Sequence, residues 1–287
     1  MNYRHLYHAG NFADLLKHVV LTELMARLTA AAGPLSVIDT HAGAGVYDLS
    51  SDAARRTGEG AAGIGVLMAD EGAPAAFDAL KAAVRELNDG ALRYYPGSPV
   101  LIAQALHGRD RLIACETRRE DFEMLRQALR APGASAVRED GWDVAARRPP
   151  TAPARALVLI DPPYEAGDDS DRVAKATKAV LARNADAVVA IWAPLKDLAG
   201  FDALLGAIED AASPHPLLIA ETRLRAPDDP LRLNGCAMAV VNPPAGLEAP
   251  AGAAAAWIGT RLGEPGGLGR AGVIGSGIVG SGQSRSS

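Results

Sequence analysis

An alternation of short apolar runs with helical patterns extends along most of this 287-residue chain and constrains its fold more than any other feature. Helical spacing of apolar residues separates most of the runs, as in residues 120–130 and 172–183. Such alternation is typical of an α/β fold with a doubly wound, mostly parallel sheet, which binds ligands at the carboxyl ends of its strands. We therefore predict a seven-stranded sheet, with strands at residues 35–39, 111–116, 135–138, 156–160, 187–192, 217–221 and 236–241.

Two segments depart from this alternation. Residues 48–92 are rich in alanine, glycine and charge, and their best pattern is helical, so we predict a helical insertion within a main domain that spans residues 1–262. Residues 263–287 contain nine glycines and end in a serine-rich stretch. Such a composition offers too little apolar surface to offset the entropy cost of ordering, and predicts a flexible tail.

Composition excludes several classes of protein. A formal charge of -5 argues against a broad basic surface that coats nucleic acid, so any such partner must be held by a local patch. The two cysteines, Cys115 and Cys236, lie far apart and lack metal-ligand spacing, which supports neither a disulfide framework nor a zinc site. With no apolar signal core or membrane-spanning stretch, we expect a soluble cytoplasmic protein.

The strongest chemical signal is the tetrapeptide Asp161-Pro162-Pro163-Tyr164, which directly follows the apolar run 156–160. Two prolines end a strand's hydrogen-bond ladder and stiffen the turn, although Asp-Pro also occurs in ordinary turns. The exocyclic N6 of adenine is a poor nucleophile because its lone pair is delocalised into the ring. The Asp161 carboxylate and the Pro162 carbonyl could accept both N6 hydrogens, while Tyr164 offers a ring face to an unstacked base.

Polar groups also follow three other predicted strands. His41 lies in a turn with Gly43 and Gly45, where glycine lets backbone approach a nucleoside ligand. Glu116 ends a strand at the position where an acid accepts hydrogen bonds from ribose hydroxyls, and Asp140 could accept an adenine amino hydrogen. Each acid alone would more often be a solvated loop residue, but their order along the strands favours an adenosyl ligand.

Basic and aromatic side chains concentrate near the N-terminus, before and within a helix that we predict from Asn11, its cap, to about residue 30. Asp14 and His18 are four residues apart and share a helix face. This region is the best candidate for RNA contact in an acidic protein, although a solvated helix face would explain Lys17 and His18 alone. The cluster consists of Tyr3, Arg4, His5, His8, Lys17 and His18.

The tetrapeptide matches the Asp/Asn/Ser-Pro-Pro-aromatic motif of class I amino-methyltransferases, and the chain as a whole resembles a narrower family. Blocks that run in order from residue 3 to 164, with a weaker match at 241–244, resemble the bacterial 23S ribosomal RNA adenine-N6 methyltransferases. These blocks are Tyr3-Arg-His5, His8-Ala-Gly-Asn11, Asp14, Leu16-Lys-His18, residues 39–45, Arg56-Thr-Gly-Glu59, residues 92–99 and residues 159–164.

The resemblance implies a Rossmann-like class I methyltransferase fold, with S-adenosylmethionine as methyl donor, S-adenosylhomocysteine as product, and no metal. It implies methylation of N6 of one adenine in 23S ribosomal RNA, free or in an early assembly intermediate, by a monomer without membrane association. Asp161, Pro162 and Tyr164 are the implied catalytic residues, and Tyr3 and Lys17 face the target nucleotide. The implied cofactor contacts are His18, His41, Ser98, Glu116, Asp140, Gly141 and Asp161.

Other functions are compatible with parts of the sequence. DNA adenine or protein glutamine amide methylation could use the same tetrapeptide, but the only candidate for a DNA-reading region is the insertion, which has few aromatic residues. A ribosome-assembly factor that binds without turnover would not need the intact Asp161 and Tyr164. A nicotinamide-dependent enzyme ranks last, because residues 40–45 lack the G-x-G-x-x-G spacing.

Overall fold

The computed structural model describes residues 5–152 and 154–274, which form one central sheet with helices on both faces. The strands are β1 Leu35–Asp39, β2 Val46–Asp48, β3 Tyr94–Pro96, β4 Arg111–Cys115, β5 Ala134–Val137, β6 Arg155–Ile160, β7 Val188–Leu195, β8 Leu217–Arg223, β9 Gly235–Val241 and β10 Leu268–Ile274. The helices are α1 Phe12–Ala30, α2 Asp52–Thr57, α3 Val66–Ala69, α4 Asp78–Glu86, α5 Ser98–Ala105, α6 Arg119–Ala128, α7 Gly141–Arg147, α8 Asp169–Arg183, α9 Leu198–Ala212 and α10 Glu248–Arg261.

The main sheet has eight strands in the order β10-β8-β9-β7-β6-β1-β4-β5. β5, β4, β1, β6 and β7 pair in parallel, whereas β9 runs antiparallel to both β7 and β8. The prediction of a doubly wound, mostly parallel α/β sheet is confirmed. The chain leaves β1 towards β4 on one side and continues from β6 towards β7 on the other, so the strand order reverses between β1 and β6. Ligands of doubly wound folds bind at this point.

The core is divided by the sheet, because alternate residues of its buried strands point to opposite faces. Val37 and Leu159 belong to the apolar cluster that also contains α1, α5 and α10. Ile38 and Val158 belong to the cluster on the other face, with α8 and α9. Helix α1 begins as predicted, since the Asn11 side chain accepts hydrogen bonds from the amides of residues 13 and 14.

Helical segments occupy most of the stretch between β2 and β3, where the sequence predicts an insertion. In addition to α2, α3 and α4, this stretch contains a π-helix, Ala61–Gly65, and a short 3-10 helix, Ala75–Phe77. The π-helix packs closely on the entry to α1: a Cβ built on Gly63 would lie 2.1 Å from the carbonyl oxygen of Gly10. The insertion is therefore packed against the main domain.

The prediction of a flexible tail from residue 263 is wrong for β10, which is the eighth strand of the sheet. β10 pairs antiparallel with β8 along its whole length and lies against α10. The glycine-rich composition serves this close packing: a Cβ on Gly269 would meet the carbonyl oxygen of Ala255 at 1.9 Å, and one on Gly259 would meet that of Leu268 at 2.2 Å. Residues 275–287 of the predicted tail lie outside the described residues.

In the part of the chain that the structure describes, no helix combines the length and the apolar character needed to cross a bilayer.

Candidate active site

A cleft of about 1630 Å³ opens at the carboxyl ends of the parallel strands. Its walls include His41 after β1, Glu116 after β4, Asp140 after β5 and Asp161 after β6, together with the start of α1. Pockets for a single small ligand usually measure roughly 300–1,000 Å³. The cleft therefore has room for a nucleoside cofactor and a second group beside it.

The tetrapeptide after β6 has a strained backbone. Tyr164 has φ 51°, a left-handed conformation that costs a non-glycine residue about 1–2 kcal/mol. Its hydroxyl donates to the carbonyl oxygen of Trp192 at 2.7 Å, and the two rings lie 5.8 Å apart. Pro162 is buried, and within residues 5–152 and 154–274 no donor bonds its carbonyl oxygen. Thus Tyr164, whose hydroxyl is held by Trp192, lies near the Pro162 carbonyl, an acceptor without a partner among the described residues.

Lys17 joins helix α1 to this tetrapeptide. Its Nζ lies 2.6 Å from Asp161 Oδ2 and 2.9 Å from Asp14 Oδ1, and the residue is only 5% exposed. Burial lowers the pKa of Lys17, but the two carboxylates outweigh burial and raise it well above its usual range. Lys17 is therefore a buried cation and not a solvated helix residue. Its hydrogen bond to Oδ2 leaves Oδ1 of Asp161 without a partner among the described residues.

Asp14 extends the charged chain to the N-terminal segment. Its Oδ2 lies 2.9 Å from both the Nε2 of His5 and the amide nitrogen of Gly10. Burial raises the pKa of Asp14, but His5 and Lys17 lower it well below its usual range. A continuous line of polar contacts thus connects His5, Asp14, Lys17 and Asp161. The nine-residue separation between His5 and Asp14 hid this contact from an analysis by helical spacing.

His18 is fully buried on the next turn of α1, and it also lines the cleft. Its Nδ1 lies 2.7 Å from the hydroxyl of Tyr95, while its Nε2 has no partner in the described part of the chain. Burial lowers the pKa of His18 to about 3, so the ring is neutral. A buried polar atom without a partner costs free energy unless a ligand or water satisfies it. Nε2 therefore marks a point for ligand contact.

Asp39, the last residue of β1, directly precedes Thr40 in the wall of the cleft, and it was not among the site residues predicted from the sequence. It is fully buried, and the hydroxyl of Ser98 donates to its Oδ2 at 2.7 Å. Burial raises the pKa of Asp39 to about 7. Its position at the end of a buried strand could have indicated a role, because Glu116 and Asp161 were selected for their positions just after such strands.

His41 and Glu116 lie where the sequence places them, at the ends of β1 and β4. His41 is neutral, because burial lowers its pKa to about 4, and its ring meets the edge of Trp142 at 4.9 Å. Glu116 is half-buried, which raises its pKa, and its Oε1 accepts a hydrogen bond from the amide of Arg118 at 2.7 Å. Both side chains line the cleft.

Asp140 and Gly141, predicted as cofactor contacts, also have structural roles at the start of α7. Asp140 caps helix α7 through the amide of Trp142 at 2.8 Å, and its other oxygen lies 3.3 Å from Arg172. Gly141 was predicted as a cofactor contact, but a Cβ there would lie 1.9 Å from the carbonyl oxygen of Thr40. Glycine is thus required at residue 141 by the backbone that follows β1.

Two further expectations concern residues or groups at the margin of this site. Tyr3, expected to face the target nucleotide, lies outside the described residues. Within the described ranges, no three His, Cys, Asp or Glu side chains are grouped as they would be to hold a metal ion. The expectation of metal-free chemistry remains a prediction.

Comparison with known proteins identifies the family. Residues 32–273 match the family model described as "Ribosomal RNA large subunit methyltransferase D, RlmJ". The chain belongs to this family. Among curated relatives, the ribosomal RNA large subunit methyltransferase J of Escherichia coli is 34% identical over 275 residues, which cover 95% of this chain and 98% of the relative. The protein of the same name from Haemophilus influenzae is 35% identical, covering 86% and 89% of the two chains.

A solved structure agrees with this membership of the RlmJ family. The crystal structure of protein LPL1258 from Legionella pneumophila superposes with a TM-score of 0.81 at 28% identity, covering 93% of this chain and 98% of that chain. Membership of the RlmJ family makes this chain an RNA methyltransferase, and the resemblance drawn from the sequence blocks is confirmed.

Proposed function

We propose that this protein transfers a methyl group from S-adenosylmethionine to N6 of an adenine in 23S ribosomal RNA. The observation that carries the proposal is the arrangement at the end of β6. There, Asp161 Oδ1 and the Pro162 carbonyl are two acceptors without partners among the described residues, next to the ring of Tyr164. The two acceptors match the two hydrogens of an exocyclic amino group.

The residues present fit the proposed cofactor. His18 Nε2 is a buried polar atom that lacks a partner in the described structure, and it lines the same cleft as Ser98 and His41. Glu116 offers its Oε2 to ribose hydroxyls from the end of β4, and Asp140 lies near the end of the adjacent β5. When bound, S-adenosylmethionine supplies an electrophilic methyl group carried on a sulfonium. We assign its binding to His18, His41, Ser98, Glu116, Asp140, Gly141 and Asp161.

The side chains of the protein position the adenine. Lys17 holds Asp161 through Oδ2 and thereby fixes the direction of Oδ1, so that Oδ1 and the Pro162 carbonyl accept the two N6 hydrogens. These hydrogen bonds favour a localised lone pair on N6. The ring of Tyr164 cannot swing freely because its hydroxyl is bonded to Trp192. Positioning of this kind supplies much of the rate of a bimolecular transfer.

Removal of the N6 proton follows methyl transfer. N6 becomes acidic only when it carries positive charge, so no strong base is needed beforehand. Asp161 Oδ1 or a water molecule then accepts the proton. The two carboxylates hold the pKa of Lys17 well above its usual range, so its ammonium stays charged throughout the reaction.

The test is transfer of labelled methyl from S-adenosylmethionine to unmodified 23S ribosomal RNA, with DNA as a parallel substrate and nucleoside analysis of the product. We expect N6-methyladenosine from RNA only. Asp161→Asn should lower kcat by about 10²-fold or more, because it removes the charged acceptor but keeps the shape. Asp143→Asn changes an exposed carboxylate on α7 and should behave as wild type.

Label in DNA alone would support DNA adenine methylation instead. Binding of RNA without any labelling, by a protein that also binds S-adenosylmethionine, would support a non-catalytic assembly factor. Whether the substrate is free RNA or an early assembly intermediate, and whether the enzyme acts as a monomer in the cytoplasm, remain predictions.

A further inference from the structure

An apolar side chain projects from the rim of the cleft. Leu231 is 94% exposed, the highest exposure among the large apolar residues of the described chain, and it lines the same cleft as Asp161. It lies between β8 and β9, in the segment 224–234. Isolated exposed leucines are common on protein surfaces, so exposure alone carries no conclusion. The position and the support of Leu231 are what distinguish it.

The segment that carries Leu231 is anchored on the strand next to the reaction centre. The buried side-chain amide of Asn234 donates to the carbonyl oxygens of Lys196 at 2.7 Å and Asp229 at 2.8 Å, and its backbone amide donates to Leu195 at 2.9 Å. The amide of Leu231 itself donates to the Asp229 carboxylate at 3.0 Å. The leucine is thus presented by a hydrogen-bonded loop.

Strand β7 gives the loop its place relative to the tetrapeptide. β7 pairs with β6, and its Trp192 holds the hydroxyl of Tyr164. Lys196 follows four residues further, about 13 Å along an extended chain. The Leu231 loop is therefore attached to the end of β7, the strand that pairs with β6 and contacts Tyr164.

Two cationic side chains, Lys196 and Arg232, line the same cleft as Leu231. Lys196 is exposed, and its ammonium has no partner within the described structure, while Arg232 lies 3.7 Å from Glu264 and remains half exposed. Arg225 is committed to the loop, because it bonds Glu264 at 2.7 Å and the Leu233 carbonyl at 3.1 Å. The cleft wall that carries Leu231 thus also carries Lys196 and Arg232, and phosphate groups are commonly contacted by such side chains.

From these observations we propose that Leu231 is an apolar wedge that enters the base stack beside the target adenine, with Lys196 and Arg232 on the neighbouring phosphates. The inference rests on the proposed function. An enzyme that modifies an exocyclic group must take the base out of its stack, and apolar side chains are used to occupy or open the step that is disturbed. The side chain is already exposed before RNA binds, so insertion requires no unfolding of the core.

The test compares methyl transfer to 23S ribosomal RNA with transfer to a short single-stranded RNA that contains the position methylated by the wild type. Leu231→Ala should lower kcat/KM for ribosomal RNA by about tenfold, the scale of losing part of the apolar contact of one buried leucine side chain. The loss should be much smaller for the short RNA, which has little stacking to break. Leu231→Met should retain activity, and KM for S-adenosylmethionine should not change. Val273→Ala, at the far edge of the sheet, is the apolar control.

The flanking cations have a separate readout. Lys196→Ala should reduce the slope of log KM for RNA against log salt concentration by about 0.7, the value for one phosphate contact on a single strand. Lys178→Ala on α8 is the exposed control. Wild-type kcat/KM in Leu231→Ala on ribosomal RNA, or an equal loss on both RNAs, would overturn the wedge and leave the proposed function intact. Failure of the wild type to methylate RNA would remove both.

Discussion

The buried ammonium of Lys17 offsets the negative charge of two carboxylates at the reaction centre. Lys17 contacts Asp14 and Asp161, and all three side chains are at least four-fifths buried. Removal of Lys17 leaves two carboxylates in a low dielectric without their shared ammonium, which costs far more than the net stabilisation of the intact group. The contribution of this group to stability therefore depends on the presence of the Lys17 ammonium between the two carboxylates.

Lys17→Met should lower the free energy of unfolding by about 3–5 kcal/mol, because the buried carboxylates of Asp14 and Asp161 both lose their shared ammonium, and only Asp14 keeps other contacts, with His5 and the Gly10 amide. The double variant Lys17→Met with Asp14→Asn should recover part of this loss, since only one of the carboxylates then remains charged. Urea unfolding at pH 7.5 measures both. Equal destabilisation of the single and double variants would contradict the charge-balance account.

Asp39 should make stability depend on pH. Its pKa is raised to about 7 in the folded protein, above the usual value of about 4 for the unfolded chain. Between these values the folded state binds a proton that the unfolded state does not, so the stabilising contribution of Asp39 is complete below pH 4 and is lost as the pH rises towards 7. Asp39→Asn removes this titration.

The difference in unfolding free energy between wild type and Asp39→Asn should therefore fall as the pH is raised from 5 to 7. Its slope should approach about 1.4 kcal/mol per pH unit in the cofactor-free protein. Denaturant unfolding at half-unit pH intervals gives the slope. A constant difference across this range would show that Asp39 is ionised in the folded state.

At the scale of elements, the contact between the insertion and α1 depends on a missing side chain. Gly63→Ala should destabilise the protein by about 1–3 kcal/mol, because its Cβ would overlap the Gly10 carbonyl and force the π-helix away from the start of α1. Gly65→Ala is the matched control, since its Cβ would find only ordinary contact at 3.5 Å. The melting temperature of Gly63→Ala should fall clearly further below that of the wild type than the melting temperature of Gly65→Ala does. Equal melting temperatures would contradict the close packing.

The elements were largely predictable, because most of them report local periodicity. β1 has the predicted bounds, and β6 and β9 differ from prediction by one residue. β10 was missed because a glycine-rich composition is compatible both with a chain that lacks a core and with closely packed backbone. In isolation the glycines of β10 indicate a chain without a core, whereas against α10 they permit backbone contact at Gly269 that any side chain would block. Composition alone does not distinguish these cases.

The site was predictable to a different degree. Residues at strand ends were found because topology brings such ends to one edge of the sheet. The partners of those residues were not found, since Lys17 and Asp161 are 144 residues apart and Ser98 and Asp39 are 59 apart. No local pattern encodes which side chains meet across such separations.

For the whole molecule, binding of the proposed cofactor at the point where the strand order reverses should stabilise the domain as a unit. S-adenosylhomocysteine at 100 times its Kd should add about 2.7 kcal/mol to the unfolding free energy. Glu116→Gln should weaken binding by about tenfold or more, through loss of charged hydrogen bonds to ribose. The measurement is the rise in melting temperature caused by S-adenosylhomocysteine. Glu123→Gln, an exposed change on α6, should show the same rise as the wild type. An unaltered shift in Glu116→Gln would remove that residue from the binding site.

The link between Lys17 and Asp161 also has a consequence during synthesis of the chain. Helix α1 leaves the ribosome early, but the carboxylate that completes its buried charge group follows 144 residues later. At ~5–20 residues per second this is a delay of roughly 7–30 s. During that interval Lys17 and Asp14 have no third partner, and final docking of α1 is disfavoured. Completion of the reaction centre is thus a late event in the folding of the chain. Methylation activity therefore requires that α1 has docked against the end of β6.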